Sequence, residues 1–378
     1  MNSALSQLEA IAENPYRAAR EWRQGGKKVV GVAPMHFPEE LVHAAGMLPL
    51  VLQESDEPVT AGYSYLYPFF CGFTRSTVDV AAKGRWDYLD GVIFPDVCLQ
   101  MRATAHILRK NFPLKYFEFI QLPVDLRGKR TPEKAVAKLQ AVKASLEEFA
   151  GRKITDQALG QSILIYNRNR SLLRKLYDLR RARPGLLRGK EVLSVVRASM
   201  LMPKEEHSRL LEGMLAELEG QRPSARGKAR VFVSGHLCQA PKADILGLIE
   251  EAGAAIVDDD LYTGYRYIAS DAATDGTPLE ALAQRYVNMS VPCPTRSDPQ
   301  NNWGQYLVKT VKASRAEGVI TLLVKFCEPH MFYYPHLQET LTAAGIPNLI
   351  IETEHEIVSL EGTRTRIQAF MEMLRGRK

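Results

Sequence analysis

Short apolar runs of strand length alternate with amphipathic segments in two parts of the chain. In the first part the runs at 27–34, 90–94 and 115–123 are typical of buried strands. The segments that begin near residues 38 and 101 have the three- and four-residue apolar spacing of helices. Because strands and helices alternate, this part is predicted to be an α/β domain with a mainly parallel sheet.

The strand signal disappears at Thr131, and apolar residues then recur at helical spacing. The stretch QRPSARGKAR (221–230) breaks this pattern because it combines Pro, Gly and basic residues and lacks large apolar ones. The strand–helix alternation then returns, with the strand-like runs ARVFVSG (229–235), AAIVDDD (254–260), GVITLLVKF (318–326) and NLIIETE (348–354).

These patterns predict an α/β fold with two Rossmann-like, doubly wound α/β domains and a helical segment between them. The expected segments are an N-terminal helix (1–24), a first α/β domain (25–130), a helical segment (131–225) and a second α/β domain (226–378). The similar stretches AAGMLPLVL and AAGIPNLII fit either an internal duplication or a common helix-to-strand turn.

Composition narrows the class of protein. The chain has 378 residues, 46 % of them hydrophobic and 24 % charged, which is typical of a folded soluble protein. The net charge of +6 is small and scattered, so it favours an anionic small ligand over nucleic acid. No apolar run approaches the ~18 residues of a membrane helix, and the N-terminus lacks a secretory signal. We therefore expect a cytoplasmic protein with no membrane partner.

Several common site motifs are missing. There is no G-x-G-x-x-G after a strand and no P-loop, so this chain is expected to bind no nucleotide, and any ATP would be hydrolysed by another chain. Neither H-E-x-x-H nor C-x-x-C occurs, which gives no support to a zinc protease or zinc ribbon. The five cysteines indicate thiols or metal ligands and not a disulfide framework.

Three cysteines stand at positions where α/β proteins place ligands. Cys98 and Cys327 each follow a strand-like run, and Cys71 precedes a Gly and a helix start, where backbone N–H groups stabilise a thiolate. Three converging thiols would suit an iron–sulfur cluster with one open iron. Each cysteine alone is equally typical of an ordinary buried thiol. Cys238 is a possible cleft-lining residue, and Cys293 is expected to be structural or peripheral.

Ordered blocks along nearly the whole chain resemble the 2-hydroxyacyl-CoA dehydratase / benzoyl-CoA reductase family. The stretches MPKEEH and CEPHMFYYPHL are most similar to the C-type subunits of the ATP-dependent benzoyl-CoA reductases. The blocks are PEELVHAAGMLPLVL, CGFTRSTVDVAAKGRWDYLDGVIFPDVC, LMPKEEHSRLLEGMLAELE, VFVSG, DDDLYTGYRY and VKFCEPHMF.

The resemblance implies that Cys71, Cys98 and Cys327 are the ligands of a [4Fe–4S] cluster or of a larger iron–sulfur assembly. It also makes Glu40 a candidate catalytic polar group, although an acidic residue in the first turn of a helix has a purely structural explanation. Arg75 is expected to meet a CoA phosphate or to tune the cluster's charge, unless it belongs to a solvated helix face.

The implied activity is the two-electron dearomatisation of benzoyl-CoA to cyclohexa-1,5-diene-1-carbonyl-CoA. Adding an electron to an aromatic thioester is steeply uphill, so ATP hydrolysis must be coupled to the transfer. The implied partners are a homologous sister subunit, ATP-hydrolysing activating subunits with their own cluster, and ferredoxin as the upstream donor. Three alternatives stay open: a 2-hydroxyacyl-CoA dehydratase subunit that works through a ketyl radical, a non-catalytic electron-relay subunit, and a small-molecule binding protein.

Overall fold

Two four-stranded parallel sheets form the framework of the protein, which confirms the predicted α/β class. The computed structural model describes residues 3–221, 228–235, 243–356 and 359–376. The strands of the first sheet are β1 (Val29–Val32), β2 (Leu48–Val51), β3 (Gly91–Pro95) and β4 (Tyr116–Ile120). Those of the second are β5 (Ala229–Gly235), β6 (Ala254–Asp259), β7 (Gly318–Val324) and β8 (Asn348–Thr353).

Both sheets have the same strand order, β2-β1-β3-β4 in the first and β6-β5-β7-β8 in the second. A shared order is what an internal duplication predicts. In such sheets the order reverses between the two central strands, and ligands bind in the crevice beyond their carboxyl ends. The central pairs are β1 with β3 and β5 with β7, so the residues that follow these strands lie where a ligand is expected.

Helices surround and connect the sheets. In chain order they are α1 (Ala4–Glu13), α2 (Arg17–Gln24), α3 (Glu40–Ala44), α4 (Gly72–Ala82), α5 (Leu99–Asn111), α6 (Thr131–Ala150), α7 (Asp156–Ala182), α8 (Gly189–Leu201), α9 (Lys204–Glu219), α10 (Ala243–Glu251), α11 (Tyr265–Ile268), α12 (Pro278–Val287), α13 (Trp303–Ala313), α14 (Glu328–Ala343) and α15 (Glu361–Gly376).

The N-terminal segment differs from its expected form. A single helix was expected over 1–24, but the structure has two helices that are interrupted between Glu13 and Arg17. Pro15 explains the interruption, because it has no N–H to donate and disfavours a helical conformation at the preceding residue. The other segment boundaries stay predictions.

Helices α6 to α9 form the expected helical segment and connect the two sheets. Helix α7 packs against α3 beside the first sheet and against β6 of the second sheet. Its buried polar residues, among them Arg170 and Arg180, point towards both sheets through their ion pairs with Glu40 and Asp259. This helix therefore brings residues of the two α/β units to one region.

Residues 272–298 follow the second sheet's β6 in sequence but pack against the first sheet, which the strand–helix alternation did not predict. Leu282 of α12 shares an apolar core with Leu41 of α3 and Leu139 of α6. An ion pair of 2.6 Å between Arg127 and Asp298 fastens the end of this segment. The segment thus forms a wall between the two sheets.

The described residues include neither a membrane-spanning helix nor a disulfide bond. No helix in these ranges is both long and apolar enough to cross a membrane. Cys71, Cys98, Cys293 and Cys327 are free thiols. Cys238, the possible cleft-lining residue, lies outside the described residues.

Candidate functional site

Each of the three predicted cluster cysteines is the N-cap residue of a helix. Cys71 precedes α4, Cys98 precedes α5 and Cys327 precedes α14. Cys98 and Cys327 also follow the central strands β3 and β7, as the strand-like runs predicted. A helix N-terminus presents free N–H groups and a positive dipole end, so all three thiols occupy positions that favour negative charge.

Gln100 links the three cysteine turns to one another. Its side-chain oxygen accepts a hydrogen bond of 2.7 Å from the backbone N–H of Cys71. Its amide nitrogen donates a bond of 2.8 Å to the carbonyl of Phe326, directly before Cys327. Since Gln100 stands two residues after Cys98, one buried side chain joins all three turns.

The three thiols also interact electrostatically. Burial raises the pKa of Cys98 to about 12, and the neighbouring Cys71 adds to the increase, while the N–H groups of Met101 and Gln100 oppose it. Burial likewise raises the pKa of Cys327, and Cys71 and Cys98 both add to it. The thiols are therefore protonated on their own, and a strong positive charge between them is needed to make them thiolates.

The three thiols are soft donors of the kind that an iron–sulfur cluster binds. Among the described residues, no group of three or more His, Cys, Asp or Glu side chains is arranged to hold a metal ion. A cluster contains several irons and sulfides, so its cysteine ligands stand farther apart than those around one ion. Cys71, Cys98 and Cys327 stand at three helix N-termini whose turns Gln100 joins, so the chemistry and placement of the donors fit such a cluster.

A cavity of about 140 Å³ lies between the two sheets. Its walls come from the turn after β1, from helices α7, α9 and α12, and from the segment 262–270. The elements of both α/β units therefore contribute to one cavity, as they do in ligand sites at the switch points of parallel sheets.

The segment around Cys293 connects this cavity with the cysteine turns. Cys293 lines the cavity and is near enough to Cys327 to add, after burial and the other two cysteines, to the raised pKa of that thiol. Three residues further on, Arg296 donates a bond of 2.9 Å to the carbonyl of Asp96, which stands just before Cys98. The structure therefore places Cys293 in the wall between cavity and cysteines, where the sequence had indicated a structural or peripheral position.

A chain of hydrogen bonds runs along one wall of the cavity. The ammonium of Lys204 donates to the hydroxyl of Tyr267 at 2.7 Å, and this hydroxyl donates to Glu39 at 2.7 Å. Lys204 also forms an ion pair of 3.5 Å with Glu39. Lys204 and Glu39 are almost completely buried, so the network has little exchange with solvent.

Glu40 lines the same cavity and carries a permanent negative charge. Its carboxylate pairs with Arg170 at 2.9 Å and with Arg285 at 3.2 Å. Burial acts to raise the pKa of Glu40, but Arg285 and Arg170 outweigh it and hold the value at about 2. A carboxylate with such a pKa does not donate protons near neutral pH. Its catalytic role stays a prediction, and the geometry favours a positioning role.

His36 is a cavity residue that no sequence pattern indicated. Both Met35 (φ 78°) and His36 (φ 66°) adopt the left-handed conformation, which is unusual for residues other than Gly. Burial lowers the pKa of His36, and the neighbouring Arg296 and Arg266 lower it further, so the ring is neutral. It lies 3.6 Å from the Cys293 sulfur.

Arg75 is buried near Cys71, where burial raises the pKa of the thiol and the charge of Arg75 acts to lower it. Its side chain is buried, pairs with Glu354 and donates to the Tyr63 hydroxyl at 2.9 Å and to the Phe70 carbonyl at 2.7 Å. The prediction that Arg75 lies on a solvated helix face is therefore wrong. Because its donors bind groups of this chain, Arg75 joins the loop before Cys71 to the segment after β8.

Comparison with known proteins identifies the family. The model of the family "2-hydroxyglutaryl-CoA dehydratase, D-component" matches residues 34–374. The chain belongs to this family. The C-type subunit of the benzoyl-CoA reductase of Thauera aromatica is 29 % identical over 98 % of both chains. The (R)-phenyllactyl-CoA dehydratase beta subunit of Clostridium sporogenes is 31 % identical over 98 % of both, and the lactoyl-CoA dehydratase subunit beta of Anaerotignum propionicum is 30 % identical over 99 % of both.

Membership of the 2-hydroxyglutaryl-CoA dehydratase family defines the class of enzyme. The chain is a subunit of an acyl-CoA dehydratase or reductase of this family. The identities to reductase and dehydratase subunits are nearly equal, so family membership alone does not separate the two reactions. The resembling blocks also carry cavity residues that were not singled out in the sequence: Lys204 in MPKEEH, and Arg266 and Tyr267 in DDDLYTGYRY.

Proposed function

We propose that this chain is an iron–sulfur subunit of an ATP-dependent benzoyl-CoA reductase. The reaction adds two electrons and two protons to benzoyl-CoA and yields cyclohexa-1,5-diene-1-carbonyl-CoA. The observation that carries the proposal is the convergence of Cys71, Cys98 and Cys327 at three helix N-termini that Gln100 joins.

Cys71, Cys98 and Cys327 would hold a [4Fe–4S] cluster or a larger iron–sulfur assembly. Such a cluster supplies single electrons at low potential when it is bound. The three helix N-termini stabilise the anionic thiolates, and the bond from Gln100 to the Phe326 carbonyl keeps the third turn beside the other two.

The cavity beside the cysteines would receive the acyl group. Four Lys and Arg side chains line it against two buried carboxylates, so its walls favour negative charge that develops on a thioester. Glu40 keeps two of these cations, Arg170 and Arg285, in place. Tyr267 holds a proton on its hydroxyl between Lys204 and Glu39, and it is the group we assign as proton donor to the reduced ring.

Other chains would complete the enzyme. We assign to it a homologous sister subunit, ATP-hydrolysing activating subunits with their own cluster, and ferredoxin as the electron source. The similar proteins are themselves named as subunits, which supports a hetero-oligomer. The absence of nucleotide motifs supports the assignment of ATP hydrolysis to another chain.

Electron stoichiometry tests the proposed reaction. The complex would be purified without oxygen, supplied with ATP, benzoyl-CoA and a limiting, titrated reductant, and the diene product would be quantified. A reductase consumes two electrons for each product molecule. Product formation without net consumption of reductant, or no product from benzoyl-CoA, would contradict the proposal. Omission of ATP is the control and should abolish the reaction.

A 2-hydroxyacyl-CoA dehydratase subunit is the second candidate. The identities of 31 % and 30 % to two dehydratase beta subunits favour it. In the same assay a dehydratase turns over a 2-hydroxyacyl-CoA many times for each electron supplied. A relay subunit, in contrast, would have a cluster spectrum that does not respond to any acyl-CoA.

A further inference from the structure

Arg266 lines the cavity and has one buried hydrogen-bond donor that the described residues leave unpaired. Only 8 % of the surface of its side chain is exposed. Nε donates to the carbonyl of Asp260 at 3.2 Å, and Nη1 donates to the carbonyls of Val291, at 3.2 Å, and Pro292. The third nitrogen, Nη2, is buried and has no hydrogen-bond partner among the described residues. A buried unpaired donor is costly, so a ligand oxygen at this position would satisfy it.

The turn that carries Arg266 is rigid. The carboxylate of Asp259 accepts bonds of 2.8 Å from both Tyr177 and Arg180, and it also accepts the backbone N–H of Tyr265 at 3.0 Å. A Cβ at Gly264 would lie 2.0 Å from the Asp259 carboxylate, so Gly is required there. Buried charge and close packing therefore fix the guanidinium relative to the cavity.

The charge of Arg266 is less compensated than that of its neighbours. The other three Lys and Arg side chains lining the cavity each have Glu39 or Glu40 within 3.5 Å. The nearest carboxylate to Arg266 in the described part of the chain is Asp260, at 3.9 Å. That oxygen already accepts a bond of 2.6 Å from the indole N–H of Trp303. Of the four Lys and Arg side chains that line the cavity, Arg266 is thus the one whose charge is least neutralised by protein carboxylates and is available to a ligand.

We propose that Nη2 of Arg266 donates the hydrogen bond that fixes the thioester carbonyl oxygen of the acyl-CoA in the cavity. This inference rests on the proposed function and adds a specificity residue to it. A guanidinium donor to a carbonyl oxygen also becomes stronger as negative charge develops on that oxygen. The site then selects acyl thioesters over CoA compounds that lack the thioester carbonyl.

Ligands that differ in a single oxygen test this assignment. The probes are benzoyl-CoA, its thioether S-benzyl-CoA, CoA alone and benzoate, each titrated calorimetrically into the anaerobic complex. We expect the wild type to bind benzoyl-CoA about tenfold or more tightly than S-benzyl-CoA, in line with one charge-assisted hydrogen bond. Arg266→Met should remove this preference and leave the affinity for S-benzyl-CoA unchanged. Arg174→Met is the control, because Arg174 pairs with Asp271 near the same turn and does not line the cavity.

The outcomes separate the two proposals. Equal wild-type affinities for benzoyl-CoA and S-benzyl-CoA would overturn the role of Arg266 even if the Arg266 variant does not fold. A preference that survives in Arg266→Met would do the same. If benzoate binds as tightly as benzoyl-CoA, the group that Arg266 binds is a free carboxylate and not the thioester carbonyl. This result would also overturn the proposed role of Arg266. Failure of all four probes to bind would instead contradict the proposed function.

Discussion

At the scale of single residues, Glu40 shows how a buried charge is fixed by its partners. Its carboxylate is completely buried, and two guanidinium groups surround it. Removing one partner of a buried ion pair leaves the remaining charges buried without an opposite charge. This lowers the free energy of unfolding more than the loss of an exposed ion pair does. Glu40 therefore contributes to stability through Arg170 and Arg285 as well as to the shape of the cavity.

We expect Glu40→Gln to lower the free energy of unfolding by about 3 kcal/mol, measured by urea denaturation. The matched control is Glu206→Gln, an exposed position on α9, which should change it by less than about 0.5 kcal/mol. Because the pKa of Glu40 is lowered from 4.5 to about 2, its contribution is present above pH 4.5 and lost as the pH falls towards 2. Equal acid sensitivity of the wild type and Glu40→Gln would contradict this explanation.

The sequence predicted some site residues and not others for a physical reason. Cys98 and Cys327 were predictable because strand ends and helix starts can be recognised locally. Cys293 and Arg285 reach the cavity only because residues 272–298 pack back against the first sheet, which no local pattern indicates. The left-handed conformation of His36 was equally hidden, since Gly is the residue that signals it.

At the scale of elements, the candidate site consists of three turns, each before a helix, that Gln100 holds together. The turn before α14 contains Phe326 in the left-handed conformation (φ 67°), and its carbonyl accepts the bond from Gln100. Gln100 lies in the first turn of α5 and also accepts the N–H of Cys71. Without Gln100, a buried N–H and a partly buried carbonyl of the backbone would lose their partners.

Gln100→Ala should lower the free energy of unfolding by about 2 kcal/mol, at roughly 1 kcal/mol for each lost hydrogen bond. In the iron-loaded protein it should also speed the release of iron to a chelator, since the three cysteine turns are no longer joined. The control is Gln338→Ala, an exposed position on α14. Iron release at the wild-type rate from Gln100→Ala would show that the bridge does not hold the turns together.

At the scale of the whole molecule, a short segment after β8 fastens the second α/β unit to the first. Glu354 pairs with Arg75, His355 donates to the carbonyl of Glu57 at 2.8 Å, and Glu356 accepts the N–H of Val59 at 3.0 Å. These contacts lie beside α4, whose N-cap is Cys71. They therefore keep the crevice between the two sheets at a fixed width.

These contacts predict cooperative unfolding. The wild type should melt in a single calorimetric transition, because the helical segment and the segment after β8 couple both sheets. The double variant Glu354→Gln, His355→Ala should show an earlier transition separate from the main one. The control is Glu352→Gln, which is exposed on β8. A single unshifted transition in the double variant would show that this segment does not couple the two units.

The fold class was predictable from the alternation of strands and helices, and so was the helical segment that begins at Thr131. The packing of 272–298 was not, because it depends on long-range apolar contacts such as those of Leu282. Helix α12, which forms a cavity wall, was consequently missed. Strand and helix patterns together with family resemblance indicated the cysteines, whereas the structure located the cavity beside them.

Iron and acid-labile sulfide content per chain tests the central claim most directly. After anaerobic preparation the wild type should contain about four iron atoms and four sulfides for a single cubane, or more for a larger assembly. Cys71→Ala, Cys98→Ala and Cys327→Ala should each lose most of both, while Cys293→Ala, the matched thiol control, should keep them. Wild-type iron content in Cys327→Ala, or a colourless wild type without iron, would contradict the account.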